Sequence, residues 1–256
     1  MAKYSKDALL ALFEELKLAS TKTIGHIACP TCEIHTEAMT GTAFDPKTTG
    51  FIQAKNLFFK VPSKGGALKD RMFLICASVA TEVDNKKLST RLGVKASAPL
   101  RLASSELFDQ VLAIPQGSVN PFVMINESAK DVTLLLDAKF KGNTMLFHPM
   151  QNDFTTSISS QDLDAFMKKA GAEARYQYVD FSVDTAISLD AAAADTAAPA
   201  KKEAPAKKEP ETNGHVKAPK KEQTMFASDH LFTRKPAGQT MFASAFEKYA
   251  QVAVRV

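Results

Sequence analysis

The chain has 256 residues, 45% of them hydrophobic, which is too much apolar material for a disordered polypeptide and suits one globular domain with an extension. No run approaches the roughly 20 apolar residues of a membrane helix, Met1-Ala2-Lys3-Tyr4-Ser5 lacks the apolar core of a signal peptide, and three cysteines suit a reducing compartment, so a cytoplasmic protein without a membrane partner is expected. Of the net charge of +4, residues 190–256 hold 11 Lys and Arg against 8 Asp and Glu, leaving 21 against 20 for residues 1–189, a balance that excludes the broad phosphate-neutralising surface of a duplex binder.

Ser5 is placed to cap a helix whose Leu9, Leu12, Phe13 and Leu16 recur at helical spacing. Apolar, strand-like runs follow at Asn56–Val61, Met72–Val79, Phe122–Ile125 and Val132–Leu136, with shorter ones near Met145–Phe147, Thr155–Ile158 and Tyr176–Phe181. Helices are predicted at about 84–92, 104–112 and 160–170, the first ending at Gly93 and the last at Gly171, with Ser159 and Asp162 as a capping box for the last. This alternation predicts an α+β domain over residues 1–189, built on a mixed, largely antiparallel sheet with surrounding helices. From Ala191 to Glu222, 25 of 32 residues are Ala, Pro, Lys or Glu, which describes a low-complexity tether over 190–222. Beyond it, at 223–256, the hexapeptide Gln-Thr-Met-Phe-Ala-Ser occurs twice, at 223–228 and 239–244, around Pro236 and Gly238.

There is no GxSxG, HExxH, GxxxxGK[ST] or GxGxxG, so serine-hydrolase, zincin, P-loop and dinucleotide chemistries have no signature here. Three other segments carry the candidates. Lys55 opens an apolar strand, where an ammonium at a sheet edge can anchor an anion, although a solvated strand-end lysine is the commoner case. Gly117 and Pro121 bracket a loop whose backbone could approach a ligand closely, or simply turn. His148 precedes Pro149, with Asn152 four residues on, and a lone histidine is more often structural than catalytic.

In this order and spacing the segments resemble the YbaK/ProX family of aminoacyl-tRNA deacylases, relatives of the editing domain of bacterial prolyl-tRNA synthetases. The resemblance runs from about Met39 to Phe181 through KNLFF at 55–59, KLSTRLGV at 87–94, GSVNPF at 117–122 as the family's GxxxP loop, INE…LLLD at 125–137 read as a hairpin, and FHPMQNDFTTSIS leading into QDLDAFMKKAG. It implies hydrolysis of the ester between a wrongly attached amino acid and the acceptor end of a tRNA, most closely Ala-tRNA(Pro), with the same activity on Ser- or Cys-charged tRNA, or a non-catalytic tRNA-binding or scaffold subunit of a synthetase complex, as alternatives. It also implies catalytic roles for Lys55, Gly117 and His148 and substrate binding by Asn56, Ser118, Val119, Pro121 and Asn152. Neither a cofactor nor a metal is expected, because an activated ester needs only a placed water and donors for the oxyanion.

Upstream of the match the chain departs from the family. Cys29-Pro30 stands where a His-Pro pair is usual, inside the run His26, Cys29, Cys32, His35. Such ligands at intervals of three invite a zinc reading, but four of them within ten residues make a cramped cage, and the expectation is that they line the rim of the substrate cleft. The tail's Met225-Phe226 and Met241-Phe242 pairs, with Leu231, Phe232, Phe246 and Tyr249, are read as a tethered motif that docks on a synthetase or a multi-synthetase assembly, or folds back on its own domain.

Overall fold

The Ser5 hydroxyl accepts from the Ala8 N–H and so caps α1 (Lys6–Glu15), from which Leu9, Leu12 and Phe13 turn into the core at the expected spacing. The computed structural model describes residues 4–189. The calls on the tether 190–222 and the docking segment 223–256 lie outside the described residues. None of the described helices is long and apolar enough to cross a membrane.

The sheet contains β1 (Lys22–Gly25), β2 (Ile52–Lys60), β3 (Met72–Ser78), β4 (Arg101–Leu102), β5 (Val132–Asp137), β6 (Thr144–Phe147), β7 (Phe154–Ser159) and β8 (Tyr176–Val179). Their order is β1-β7-β6-β2-β3-β5-β8, with β4 also paired to β2. The sheet is mixed, as expected: β1/β7, β6/β7, β2/β3 and β2/β4 are antiparallel, whereas β2/β6, β3/β5 and β5/β8 are parallel. The central strands β3 and β5 read as almost unbroken apolar runs because both of their faces are covered.

Strand periodicity divides the core in two. Phe58, Leu74, Cys76, Leu134 and Leu136 point to one face, under α1 and α6 (Ser160–Lys169). Phe59, Phe73, Ile75, Ala77 and Leu135 point to the other, with Leu88 of α4 (Asn85–Arg91) and the following Leu92, Val94 and Leu100. On the first face Phe122 sits at the centre of an aromatic cluster, edge-on to Phe13, Phe147 and Phe166 at centroid distances of 5.1, 5.9 and 5.3 Å.

Several expectations need correction. Phe122–Ile125 is not a strand but part of a 3-10 helix, Pro121–Ile125. Pro121 at its first position lacks the N–H a ladder would need, and the Asn120 side chain caps the turn by accepting from the Phe122 N–H. A second 3-10 turn, Glu127–Ala129, follows, so residues 125–137 do not form a hairpin and only β5 is extended. The helix at 104–112 begins as α5 (Ser105–Leu107) and widens into a π turn, Phe108–Leu112, that closes on Ala113 with φ +56°. The Ser159 hydroxyl caps α6, but the return half of the box is absent: the Asp162 carboxylate accepts instead from the Ser20 N–H and hydroxyl, tying the approach to β1 onto α6. Composition left β1, α2 (Cys32–Met39) and α3 (Pro46–Thr49) unannounced, and β2 begins at Ile52, so Lys55 is its fourth residue rather than its first.

Truncating the centre of the aromatic cluster should cost most. Phe122→Ala is expected to lower the unfolding free energy by about 3–5 kcal/mol, while Leu102→Ala, at a side chain 66% exposed, should change it by less than about 0.5 kcal/mol, both read from denaturant midpoints.

Candidate active site

The site begins with a gap in the sheet. On the edge of β2 away from β3, Ile52 and Gln53 pair with Met145 and Leu146 of β6, and Phe59 and Lys60 pair with Leu102 and Arg101 of β4. Between these two partners no described strand pairs with that edge, and Lys55 and Asn56 stand in the opening. His148, two residues beyond Leu146, leaves the sheet at the level that Lys55 occupies two residues beyond Gln53.

Neighbouring residues of a strand face opposite ways, and these two do so. Asn56 reaches the glycine-proline loop, its Nδ2 donating to the Val119 carbonyl at 2.8 Å. Its Oδ1 is buried and is the sole buried side-chain oxygen or nitrogen among the described residues without a hydrogen-bond partner. Lys55 is half-buried on the other side, with Nζ 3.5 Å from the Val79 carbonyl. Its charge is felt at Cys32 of α2, where burial pushes the thiol up, Glu33 pushes it further, and the ammonium pulls it back. Gln53, on the same face, donates to the Cys32 carbonyl and accepts from the Thr36 hydroxyl, holding α2 against the sheet.

Gly117 has φ +90°, a conformation that favours glycine, and a Cβ built there would lie 3.5 Å from the Asn152 amide nitrogen. The predicted loop and the segment after His148 are therefore in contact. Ser118, Val119 and Pro121 are buried, Val119 within the main core, so these residues can offer a ligand their backbone more readily than their side chains. Asn120 stitches the loop to itself and outward, its amide donating to the Ser118 carbonyl at 2.7 Å and approaching Met150 Sδ at 3.7 Å. Met150 is held at φ +66°, strain of the kind that collects beside functional groups. The Asn152 carbonyl accepts from the Cys29 N–H, and that of Asp153 from the His26 N–H, which docks the divergent 26–35 segment against the site.

His148 is not alone. Its Nδ1 lies 2.8 Å from the Phe154 carbonyl, which fixes the ring, and burial holds its pKa below the ordinary histidine range although that hydrogen bond works the other way. His35, 4% exposed, is pushed down to about 3 by burial and by the neighbouring histidines 148 and 26. Thr155 Oγ1 stands 2.7 Å from both His26 Nε2 and His35 Nε2. The four candidate ligands read along 26–35 do not form one group: the two histidines converge on the distant His148 and Thr155, Cys29 sits at His26 Nδ1, and Cys32 feels the Lys55 charge. Thr155 carried no signal in the sequence, since a threonine in a strand is ordinary.

The family model described as the aminoacyl-tRNA editing domain matches residues 37–166. The chain is 28% identical over 168 residues to the prolyl-tRNA editing protein ProX of Acetoanaerobium sticklandii, covering 65% of this chain and 93% of that one. It is 33% identical over 145 residues to prolyl-tRNA synthetase associated domain-containing protein 1 of Danio rerio, covering 54% and 73%. It is 29% identical over 176 residues to the protein of the same name from Xenopus laevis, covering 67% and 95%.

The thiols bear on the chemistry, because burial raises the pKa of Cys29, Cys32 and Cys76 alike and none is activated as a thiolate nucleophile. At neutral pH iodoacetamide should modify Cys32 no faster than a free cysteine and should leave the fully buried Cys76 untouched until the chain is unfolded, as read by peptide mass mapping.

Proposed function

The chain belongs to the family of aminoacyl-tRNA editing domains and is an aminoacyl-tRNA deacylase, and we propose that it acts in trans on Ala-tRNA(Pro), binding the acceptor end in the gap between β6 and β4. The observation that carries this placement is Asn56, whose amide nitrogen is committed to the glycine-proline loop while its oxygen is a buried acceptor facing no protein donor. A buried acceptor without a donor costs about 1–3 kcal/mol, and a substrate that brings its own donor recovers it. The α-ammonium of an aminoacyl ester and the ribose hydroxyl beside it are such donors.

The other groups take complementary roles. The Lys55 ammonium neutralises the phosphate of the terminal adenosine or the carbonyl oxygen as it becomes an oxyanion. The backbone of Gly117, Ser118 and Val119 closes round the amino-acid moiety, Pro121 fixes the loop to the core, and Asn152 braces the bend from behind. His148, a neutral ring with Nδ1–H given to the Phe154 carbonyl, turns Nε2 as an acceptor toward water or substrate. A water then adds to the ester carbonyl, the tetrahedral intermediate collapses, and the C–O bond to the ribose breaks, releasing the amino acid and tRNA with its hydroxyl restored. Orientation and oxyanion stabilisation supply the acceleration, and no protein nucleophile is required.

Alanine follows from a size argument. One methylene in an apolar pocket is worth about 1–3 kcal/mol, so a synthetase shaped for proline admits alanine at a level that a second, smaller sieve must correct. Val119 is a built-in limit on that sieve, since it is packed in the core and cannot withdraw.

The test is deacylation of Ala-, Ser- and Cys-charged tRNA and of Pro-tRNA(Pro) by the full chain. Ala-tRNA(Pro) should be cleared fastest and Pro-tRNA(Pro) spared, with Lys55→Ala and Asn56→Leu each slowing the reaction about a hundredfold or more. Preference for Ser- or Cys-tRNA overturns the alanine assignment, and wild-type rates in both variants overturn the placement of the site.

A further inference from the structure

His26 follows β1, His35 lies on α2 and His148 follows β6, yet their rings meet. Centroids are 5.7 Å apart for His26 and His35, 5.8 Å for His26 and His148, and 4.8 Å for His35 and His148. A ring nitrogen of each lies within 4.8 Å of those of the others.

The hydrogen bonds decide which nitrogens carry protons. A carbonyl can only accept, so Nδ1 of His26, 2.6 Å from the Ile27 carbonyl, and Nδ1 of His148 are protonated, and in neutral rings both Nε2 atoms are lone pairs. The Thr155 hydroxyl has one proton to give. It donates to His26 Nε2 and accepts from His35 Nε2–H, which leaves Nδ1 of His35 as the lone pair. Each ring thus keeps one lone pair beside the other two rings, and its second nitrogen is anchored by a carbonyl or a hydroxyl. That is the outer-shell pattern of histidines that bind metal. Cys29 is not among the donors: its Sγ sits 3.1 Å from the Ile27 carbonyl and 3.3 Å from His26 Nδ1, on the side of that ring away from the cluster.

We propose that His26, His35 and His148 form a binding site for one divalent transition-metal ion, zinc by preference, with a water as fourth ligand. Imidazole donors suit the later first-row ions, and zinc accepts three of them with tetrahedral geometry. At Zn–N distances of about 2.0–2.1 Å the donors stand about 3.4 Å apart, so loading draws the rings inward and frees His26 Nε2 from the Thr155 hydroxyl, which keeps its bond to His35 Nε2–H. The assignment does not rest on the proposed reaction, although His148 Nε2 cannot serve water or substrate while it holds the ion, and it is read by metal binding. It departs from the expectation that the 26–35 ligands only line a rim, in that the half-site they supply would be completed by a histidine more than 110 residues away.

The full chain, stripped with a chelator, is titrated with Co(II) and followed by visible absorption. The expected result is about one ion per chain, with the intense d–d bands of a four-coordinate nitrogen-rich site, displaced by equimolar Zn(II). His35→Ala and His148→Ala should abolish the bands, whereas the tail variant His215→Ala/His230→Ala should keep them. Circular dichroism checks that the first two variants fold. If either does not, histidine-ring NMR of the wild type with Zn(II) decides, three ring systems shifting together supporting the site and unmoved rings overturning it. Absence of four-coordinate bands in the wild type, or their loss only in the tail variant, overturns the proposal.

Discussion

β2 changes partner halfway along its outer edge, from β6 in parallel to β4 in antiparallel, and the two pairings cannot meet because their partners approach from opposite ends. The backbone and side chains of the intervening residues are released from the ladder on that side. Elsewhere such an edge would be an invitation to aggregate. Here the Asn56 amide bridges the break to the Val119 carbonyl, and α2 is held over the opposite face through Gln53. Lys55, on the strand between those two anchors, inherits a fixed position from both.

Polarity around the opening is arranged with little charge. Burial holds histidines 35 and 148 below the ordinary range and raises the thiols, the asparagines at 56, 120 and 152 are dipoles, and the Lys55 ammonium stands among them with Glu33 and Asp153 close by. Charge around the opening is thus local rather than spread over a basic surface, in keeping with the near-neutral balance of residues 1–189. The shape of the opening is secured by packing. Pro121 and Phe122 root the glycine loop in the aromatic cluster, and Met150 is held left-handed beside it.

Much of this was legible in the residues, for definite reasons. The capped helix α1, the apolar strands β3 and β5 and the helix after Ser159 declared themselves through period and caps, which are local properties. Phe122–Ile125 misled because a fully buried 3-10 turn and a buried strand are equally apolar, and the decisive word was the proline before it. Asp162 misled because a capping residue can be claimed by a distant hydroxyl, here that of Ser20. Lys55, Gly117 and His148 were singled out by resemblance, but that Asn56 and not Lys55 would touch the loop depends on the pleat and the register. Spacing along 26–35 suggested ligands, but sequence distance carries no information about a neighbour at position 148 or 155, where the two histidines of that run converge.

Thr155 bonds to His35 at a sequence separation of 120, and Asp162 to Ser20 at 142. On the ribosome, the amino-terminal third of this protein emerges with its histidines and its β1 strand unpartnered, and it stays so until β7 and α6 have been synthesised. Nascent chains truncated before that point own Lys55 and the glycine loop but no closed wall. The wall is therefore completed late in biosynthesis, and a premature stop ahead of β7 leaves the opening without the strand and helix that close it.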